Sequence, residues 1–303
     1  MRTLASRLSG VALIMMTLNP SQADTLNIPY QAGQIVSAGD ITVHHRLYQG
    51  AHTTPTATLV LIHGWSCDAS YWDAQISDLL AQYPVLTVDL AGHGQSVGQR
   101  DDFSMRAFGA DVAQAVKQAI PEGPVILIGH SMGGPVSVEA ARRLGARVHA
   151  VIGVDTFKGI GSPPPDPAQT EARLQFFAAD FAGATRIFVT QTFFREDADA
   201  ALKARIAEDM ASGDPTVGIE AIRGLNDWDG VAALRELAGA RPEPLPILAV
   251  NARHGSPTDL SRLQEIYPAF RLREMDGVGH FLMMEQPSAF NALLLEELAL
   301  IAP

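Results

Sequence analysis

The pattern of hydrophobic positions divides most of the chain into short apolar segments and longer amphipathic ones. Segments that are continuously apolar or alternating, as strands are, span 41–48, 58–62, 85–89, 125–128, 150–154, 245–250 and 270–275. Segments whose apolar residues recur at helical spacing span 72–83, 103–120, 135–144 and 289–301. Strands that alternate with helices and are apolar on both faces predict an α/β fold, with a mainly parallel central sheet flanked by helices.

Residues 157–244 break this alternation and predict a helical cap inserted into the core. The segment opens with a Gly- and Pro-rich loop and closes with the Pro-rich stretch 241–246. Helical patterns lie between them, at 168–181, 185–194, 197–211 and 215–225. We therefore expect a core formed by residues 24–156 and 245–303. The aromatic residues of the cap, individually typical of packing, together favour an apolar substrate pocket beneath it; they are Phe176, Phe177, Phe181, Phe188, Phe193, Phe194 and Trp228.

The first 23 residues have the pattern of a secretory signal peptide. Arg2 and Arg7 precede the short apolar stretch 10–18, and Ser21-Gln22-Ala23 fits a cleavage site before Asp24. A membrane anchor is the alternative, but this stretch is too short to cross a hydrocarbon core of about 30 Å. The sequence predicts an exported protein, periplasmic or secreted, without a stable membrane span.

Composition narrows the classes of partner and cofactor. The chain of 303 residues carries 22 basic and 33 acidic residues, a net charge of −11, and no basic cluster that would indicate nucleic acid binding. Cys67 is the single cysteine, so no intramolecular disulfide can form, and we interpret it as a small packed residue near the active site. We find neither a dinucleotide fingerprint nor a metal-ligand spacing, and we expect no cofactor and no metal.

The segment Gly129-His130-Ser131-Met132-Gly133 has the form Gly-x-Ser-x-Gly. It follows an apolar strand and precedes a helix, which is the context of a nucleophile elbow. In such a turn the serine takes a strained backbone angle, and its neighbours two residues away must be small. The sequence thus predicts Ser131 as a catalytic nucleophile.

Together with this elbow, three further motifs resemble those of the α/β-hydrolase family of serine esterases and lipases. They are His63-Gly64-Trp65, the segment 89–96, and Gly277-Val278-Gly279-His280-Phe281. The resemblance runs from Thr58 to the end of the chain and is weakest across the cap. It implies that His280 is the general base and that the backbone N–H groups of Trp65 and Met132 form the oxyanion hole. His63 and His93 are expected to brace their loops.

The acid that would orient His280 is the open question. In most of the family it follows the strand after the cap, but this chain has His254 there. Some family members place the acid one strand earlier, where this chain has Asp155, and we favour that residue. Asp259 is the alternative acid and would need a longer loop; Asp276 is too close in sequence to His280. A helix or turn cap is the structural interpretation of both Asp155 and Asp259.

These residues predict a serine hydrolase that cleaves a small-molecule carboxylic ester, or a related acyl compound with an apolar part, through an acyl-enzyme. Two alternatives remain open at this point. The same fold could serve a cofactor-free perhydrolase or a carbon–carbon bond hydrolase. It could also serve a non-catalytic binding protein, which the unusual residue at position 254 favours.

Overall fold

A computed structural model describes residues 28–37, 39–50, 57–164 and 166–301. The predicted signal peptide lies outside the described residues. Within them, no helix combines the length and the apolar character needed to cross a membrane.

The described strands form one eight-stranded sheet in the order β1-β2-β4-β3-β5-β6-β7-β8. Strand β2 is antiparallel to both of its neighbours, and the remaining pairs are parallel. The strands are β1 Gln31–Val36, β2 Thr42–Tyr48, β3 Thr58–Ile62, β4 Val85–Val88, β5 Val125–His130, β6 Val148–Val154, β7 Ile247–Ala252 and β8 Phe270–Met275. The predicted fold class is confirmed. Strand β1 was not predicted, because this edge strand is mostly exposed and lacks an apolar pattern.

Helices cover both faces of the sheet and bury their apolar sides against it. These helices are α1 Asp73–Leu80, α2 Met105–Ala119, α3 Gly133–Leu144, α9 Leu260–Ile266, α10 Leu282–Glu285 and α11 Pro287–Ile301. Helix α2 shows why such a segment folds locally. The Ser104 hydroxyl caps it by accepting a hydrogen bond from the Ala107 N–H, and Phe108, Val112 and Val116 are fully buried on one side.

The segment between β6 and β7 is helical. Its elements are α4 Pro167–Ala179, α5 Phe181–Phe188, a π-helix Val189–Phe193, α6 Ala200–Ala211, α7 Pro215–Asn226 and α8 Gly230–Gly239. Aspartate side chains at the N-caps accept backbone hydrogen bonds at the starts of α4, α5, α6, α7 and α8. Helix α8 was missed from the sequence, although Asp229 at its N-cap and buried Leu234 and Leu237 were signals for it.

The carboxyl ends of the parallel strands meet at one edge of the sheet, and backbone strain is concentrated there. The non-glycine residues with positive φ in the described part of the chain are Ser66, Ser131, Asp155 and Phe157, at 51°, 51°, 46° and 66°. They follow β3, β5 and β6. Left-handed backbone at non-glycine residues is costly and clusters at functional sites, which directs attention to this edge.

Candidate active site

Ser131 occupies a tight turn between β5 and α3. Its φ of 51° reverses the chain within one residue, and its N–H donates to the carbonyl of Val154 on the neighbouring strand β6 over 2.9 Å. Its own carbonyl accepts from the Gly134 N–H over 3.0 Å. The predicted nucleophile therefore lies in a strained strand-to-helix turn at the start of a helix.

The spacing of glycines around Ser131 has a direct steric cause. A Cβ at Gly129 would lie 2.1 Å from the Gly133 carbonyl oxygen, and a Cβ at Gly133 would lie 2.5 Å from the Ile62 oxygen. A Cβ at Gly64 would approach Ser131 Cβ to 3.2 Å. The loop after β3 therefore packs directly against the serine, and only glycine at 129 and 133 permits this turn.

The structure brings Asp155 and His280 into contact across 125 residues of sequence. Asp155 follows β6, and His280 lies in the loop after β8. The distance from His280 Nδ1 to Asp155 Oδ2 is 2.6 Å, and Asp155 Oδ1 accepts the Ala252 N–H over 2.8 Å. Ser131 Oγ and the His280 imidazole, both among the described residues, are not hydrogen-bonded to each other; such contacts are often long until substrate binds.

Lys158 also contacts the buried carboxylate and was not singled out from the sequence. Its Nζ lies 2.8 Å from Asp155 Oδ1 and donates to the carbonyls of Ala252 and His254. Burial alone would raise the pKa of Asp155, but the hydrogen bond and charge of His280, followed by the charge of Lys158, hold that pKa below its ordinary value. Asp155 is therefore kept ionised beside the imidazole.

The other acids considered from the sequence do not contact His280. Asp259 caps helix α9, where its Oδ1 accepts the Arg262 N–H over 3.0 Å and its Oδ2 pairs with the Arg262 guanidinium. Asp276 is exposed and lies 3.6 Å from Arg253. His254, at the usual position of the acid, presents its carbonyl to Lys158.

The backbone N–H groups of Trp65 and Met132 lie near Ser131 without an acceptor among the described residues. Both residues are buried, and neither N–H donates a hydrogen bond to any residue within the described ranges. Buried backbone donors are rarely left without an acceptor. Met132 directly follows Ser131 and precedes α3, and Trp65 follows Gly64, which packs on the serine. An oxyanion hole needs two such donors beside the attacking atom, so this arrangement agrees with the expectation from the sequence.

His63, His93 and Cys67 occupy structural positions around this edge. His63 bridges two loops, since its Nδ1 donates to the Gly64 carbonyl and its Nε2 accepts the Leu90 N–H over 2.9 Å. Burial, followed by the charge of His63, lowers the pKa of His93 to about 3. Burial raises the pKa of the Cys67 thiol well above its ordinary value, which disfavours the reactive thiolate.

The loop that carries His280 is held by contacts that the sequence did not indicate. Glu285 accepts the N–H groups of Gly279 and Phe281, on either side of His280, over 2.9 and 3.2 Å. His130 Nε2 donates to the carbonyl of His280 over 2.9 Å. Burial, followed by the charge of His280, lowers the pKa of His130 to about 3, so its imidazole stays neutral. The only signal for Glu285 was its short distance from His280 in sequence.

Two adjoining cavities open at this edge and share Asp155 and Thr156. One, of about 700 Å³, has Ser131 and Met132 in its wall together with Phe157, Ile160 and Trp228. The other, of about 650 Å³, is lined by His280, Phe193, Lys158 and His254. Both volumes lie in the range of small-molecule sites. Among the cap aromatic residues noted in the sequence, Trp228 lines the Ser131 cavity and Phe193 the His280 cavity.

The described residues contain no group of three or more His, Cys, Asp or Glu side chains arranged to hold a metal ion. At this edge the described residues bring together a strained serine, an imidazole paired with a carboxylate, and two backbone N–H groups without an acceptor.

Comparison with known proteins identifies the family to which this chain belongs. A family model described as "Alpha/beta hydrolase family" matches residues 59–293, most of the chain. Pimeloyl-[acyl-carrier protein] methyl ester esterase from Klebsiella pneumoniae is 26% identical over 249 residues, which cover 78% of this chain and 91% of that protein.

Solved structures show the same fold. A thermophilic esterase from Thermogutta terrifontis superimposes with a TM-score of 0.75 at 21% identity, covering 90% of this chain and 100% of that one. The enol-lactonase from Burkholderia xenovorans LB400 gives 0.74 at 20% identity, with coverage of 88% and 100%. The resemblance inferred from the motifs is confirmed, and this chain belongs to the alpha/beta hydrolase family of enzymes.

Proposed function

We propose that this chain is a serine hydrolase that cleaves a carboxylic ester, or a related acyl compound, through an acyl-enzyme. Ser131 attacks the carbonyl carbon while His280 takes the serine proton and then gives it to the leaving group. Asp155 holds the imidazole and stabilises its protonated form, and the N–H groups of Trp65 and Met132 bind the tetrahedral oxygen. Water then attacks the acyl-enzyme and releases the acid.

The observation that carries the proposal is the 2.6 Å contact between His280 Nδ1 and Asp155 Oδ2, at the sheet edge that also holds Ser131. A carboxylate on Nδ1 leaves Nε2 as the proton acceptor, which is the arrangement a serine nucleophile needs. The ionised state of Asp155 supports the same role. The family relatives named as esterases support the choice of an ester.

The cavity beside Ser131 supports a small substrate with an apolar part. Its walls include Phe157, Ile160, Leu225 and Trp228, and Asp227 and Asp229 add carboxylates. Its volume of about 700 Å³ suits a small-molecule ester. The walls favour esters with a neutral acyl chain, which a series of p-nitrophenyl esters of increasing chain length would test.

Labelling with a fluorophosphonate probe tests the nucleophile and base directly. We expect one probe per wild-type molecule and no labelling of Ser131→Ala. Labelling of His280→Ala should be at least hundredfold slower than that of wild type, because the imidazole activates the serine. Circular dichroism would establish that both variants are folded. Absence of labelling in folded wild-type protein would contradict the proposal and favour a binding protein on the same fold.

We also propose that the chain is exported and cleaved before Asp24. The support is the pattern of Arg2, Arg7, the apolar stretch 10–18 and the small residues before the cut. Intact mass of the protein from a periplasmic extract and from the medium would test it. A mature chain that begins at Asp24 is expected, whereas full-length protein retained in the cytoplasm would overturn this proposal.

A further inference from the structure

Phe193, a cap residue, contacts His280 with both its ring and its backbone. The two ring centroids are 4.2 Å apart, and the ring planes are inclined by only 25°. The carbonyl of Phe193 also accepts the His280 N–H over 2.7 Å. A Cβ at Gly279 would lie 2.4 Å from that carbonyl oxygen, so glycine there permits the close approach.

The local structure explains why the carbonyl and ring are available. Phe193 ends the π-helix Val189–Phe193, where the last carbonyls have no partner within the helix. The next residue, Phe194, is extended and turns the chain away. The ring of Phe193 packs edge-on against Phe188 of the cap and Phe281 of the core, at 4.9 and 5.7 Å. The ring of Phe193 is therefore held by contacts with both the cap and the core.

The contact with Asp155 alone leaves the imidazole incompletely constrained. One hydrogen bond at Nδ1 fixes a single atom of the ring, and the ring can still tilt about that atom. Tilting moves Nε2, the atom that must accept the serine proton. The rings of His130 and Phe281 also contact the imidazole, but they are inclined to it by 50° and 77°. The ring of Phe193, at 4.2 Å and 25°, packs against one whole face and so restricts this tilt.

We propose that Phe193 is a positioning residue for the imidazole of His280, so that the seated cap completes the alignment of the general base. The inference rests on the proposed function of His280. It assigns the cap a part in the proton-transfer geometry besides enclosing substrate. Phe193 and Ser131 line different cavities, and in this proposal Phe193 does not touch the reacting carbonyl.

The test compares Phe193→Leu with Phe193→Tyr and Phe176→Leu in the full mature enzyme, using p-nitrophenyl butyrate. Leucine removes the flat ring but keeps the backbone, and tyrosine restores the ring. Phe176 is another cap phenylalanine; it lines neither of the two cavities at the sheet edge, is 46% exposed, and packs its ring against Phe177. For Phe193→Leu we expect kcat to fall about 10- to 100-fold with KM within about twofold, since misplacing a catalytic group by ~1 Å costs about a hundredfold. Tyrosine should recover kcat to within about threefold of wild type, and Phe176→Leu should match wild type.

A second measurement does not depend on turnover. The Nδ1 proton shared by His280 and Asp155 should give a downfield proton NMR signal in wild-type protein. Tilting of the ring turns the Nδ1–H bond away from Asp155 Oδ2 and so weakens this hydrogen bond. We therefore expect the signal to persist in Phe193→Tyr and Phe176→Leu, and to be broadened or lost in Phe193→Leu.

Wild-type hydrolysis that is abolished in Ser131→Ala would show that the proposed function stands, and the Phe193 variants then decide the inference alone. Unchanged kcat in folded Phe193→Leu, or failure of tyrosine to restore kcat, would overturn it. Where wild-type protein neither hydrolyses esters nor reacts with the probe, the proposed function fails; an unchanged NMR signal in Phe193→Leu would then overturn the positioning role as well.

Discussion

At the scale of single residues, substitution of Asp155 and of Asp259 should affect activity very differently. Asp155 lies 2.6 Å from the imidazole of His280, whereas Asp259 caps a helix. We expect Asp155→Asn to lower kcat by about 10³–10⁴-fold, because an amide favours the wrong imidazole tautomer. Asp259→Asn should stay within about threefold of wild type, since asparagine also caps helices well. Steady-state kinetics of both variants would check this, and the reverse order would reassign the acid.

At the same scale, we expect Lys158 to influence the pH dependence of activity through the pKa of Asp155. The charge of Lys158 helps to hold the pKa of that carboxyl below its ordinary value, against the effect of burial. Lys158→Met removes the charge, so the pKa of Asp155 should rise and the carboxylate should protonate at a higher pH. We therefore expect the acid limb of the kcat/KM profile to move to higher pH. Relative to wild type, the loss of kcat/KM in the variant should be largest near pH 5 and smallest near pH 8. Lys117→Met, at an exposed position of α2, is the control; equal losses at both pH values would contradict this role.

At the scale of elements, the loop after β3 and the turn after β5 form the site only because they pack closely. A Cβ at Gly64 would lie 3.0 Å from His130 Nδ1 and 3.2 Å from Ser131 Cβ, so an added methyl group must displace its neighbours by a few tenths of an ångström. We expect Gly64→Ala to lower kcat about tenfold through misalignment of the serine with the Trp65 N–H. Gly239→Ala, where a Cβ meets open space, should leave kcat unchanged. Kinetics beside thermal unfolding would separate misalignment from loss of fold.

The strands that could be predicted most readily from the sequence are the buried ones. Strands β3 and β5 are fully buried and were recognised from continuous apolar sequence. Strand β1 was missed because most of its residues are exposed and its apolar residues do not alternate with polar ones. The π-helix 189–193 was included in a predicted helix, because its altered hydrogen bonding leaves no mark in the spacing of apolar residues.

At the scale of the whole molecule, Asp73 should make stability depend on pH. Burial, opposed by the charge of Arg46, raises the pKa of Asp73 to about 7 in the folded chain. Between pH 4 and 7 the folded state therefore holds a proton that the unfolded chain has lost, so stability falls as pH rises through this window. We expect Asp73→Asn to raise Tm relative to wild type. This increase should be larger at pH 8 than at pH 5, by roughly 1–3 °C. Calorimetry with Asp101→Asn as an exposed control would measure this; a difference independent of pH would contradict it.

The sequence alone determined the features that depend on residues close together in the chain. The elbow at Ser131 could be recognised because its requirements, a buried strand, small residues two positions away and a following helix, all lie within about twenty residues. The family and the fold class followed from the order of such local motifs, as did the expectation for His280.

Only the tertiary structure decided which side chains meet across the sheet. The sequence favoured Asp155 over Asp259 but could not show which of them contacts His280, because that contact depends on β6, β7 and β8 lying side by side. Lys158 contacts the carbonyls of Ala252 and His254 after β7, and Phe193 of the cap contacts His280 after β8, whereas Glu285 holds the backbone of its own loop. Their residue types are common and carry no distinctive spacing, so these contacts could be identified only from distances in the folded chain.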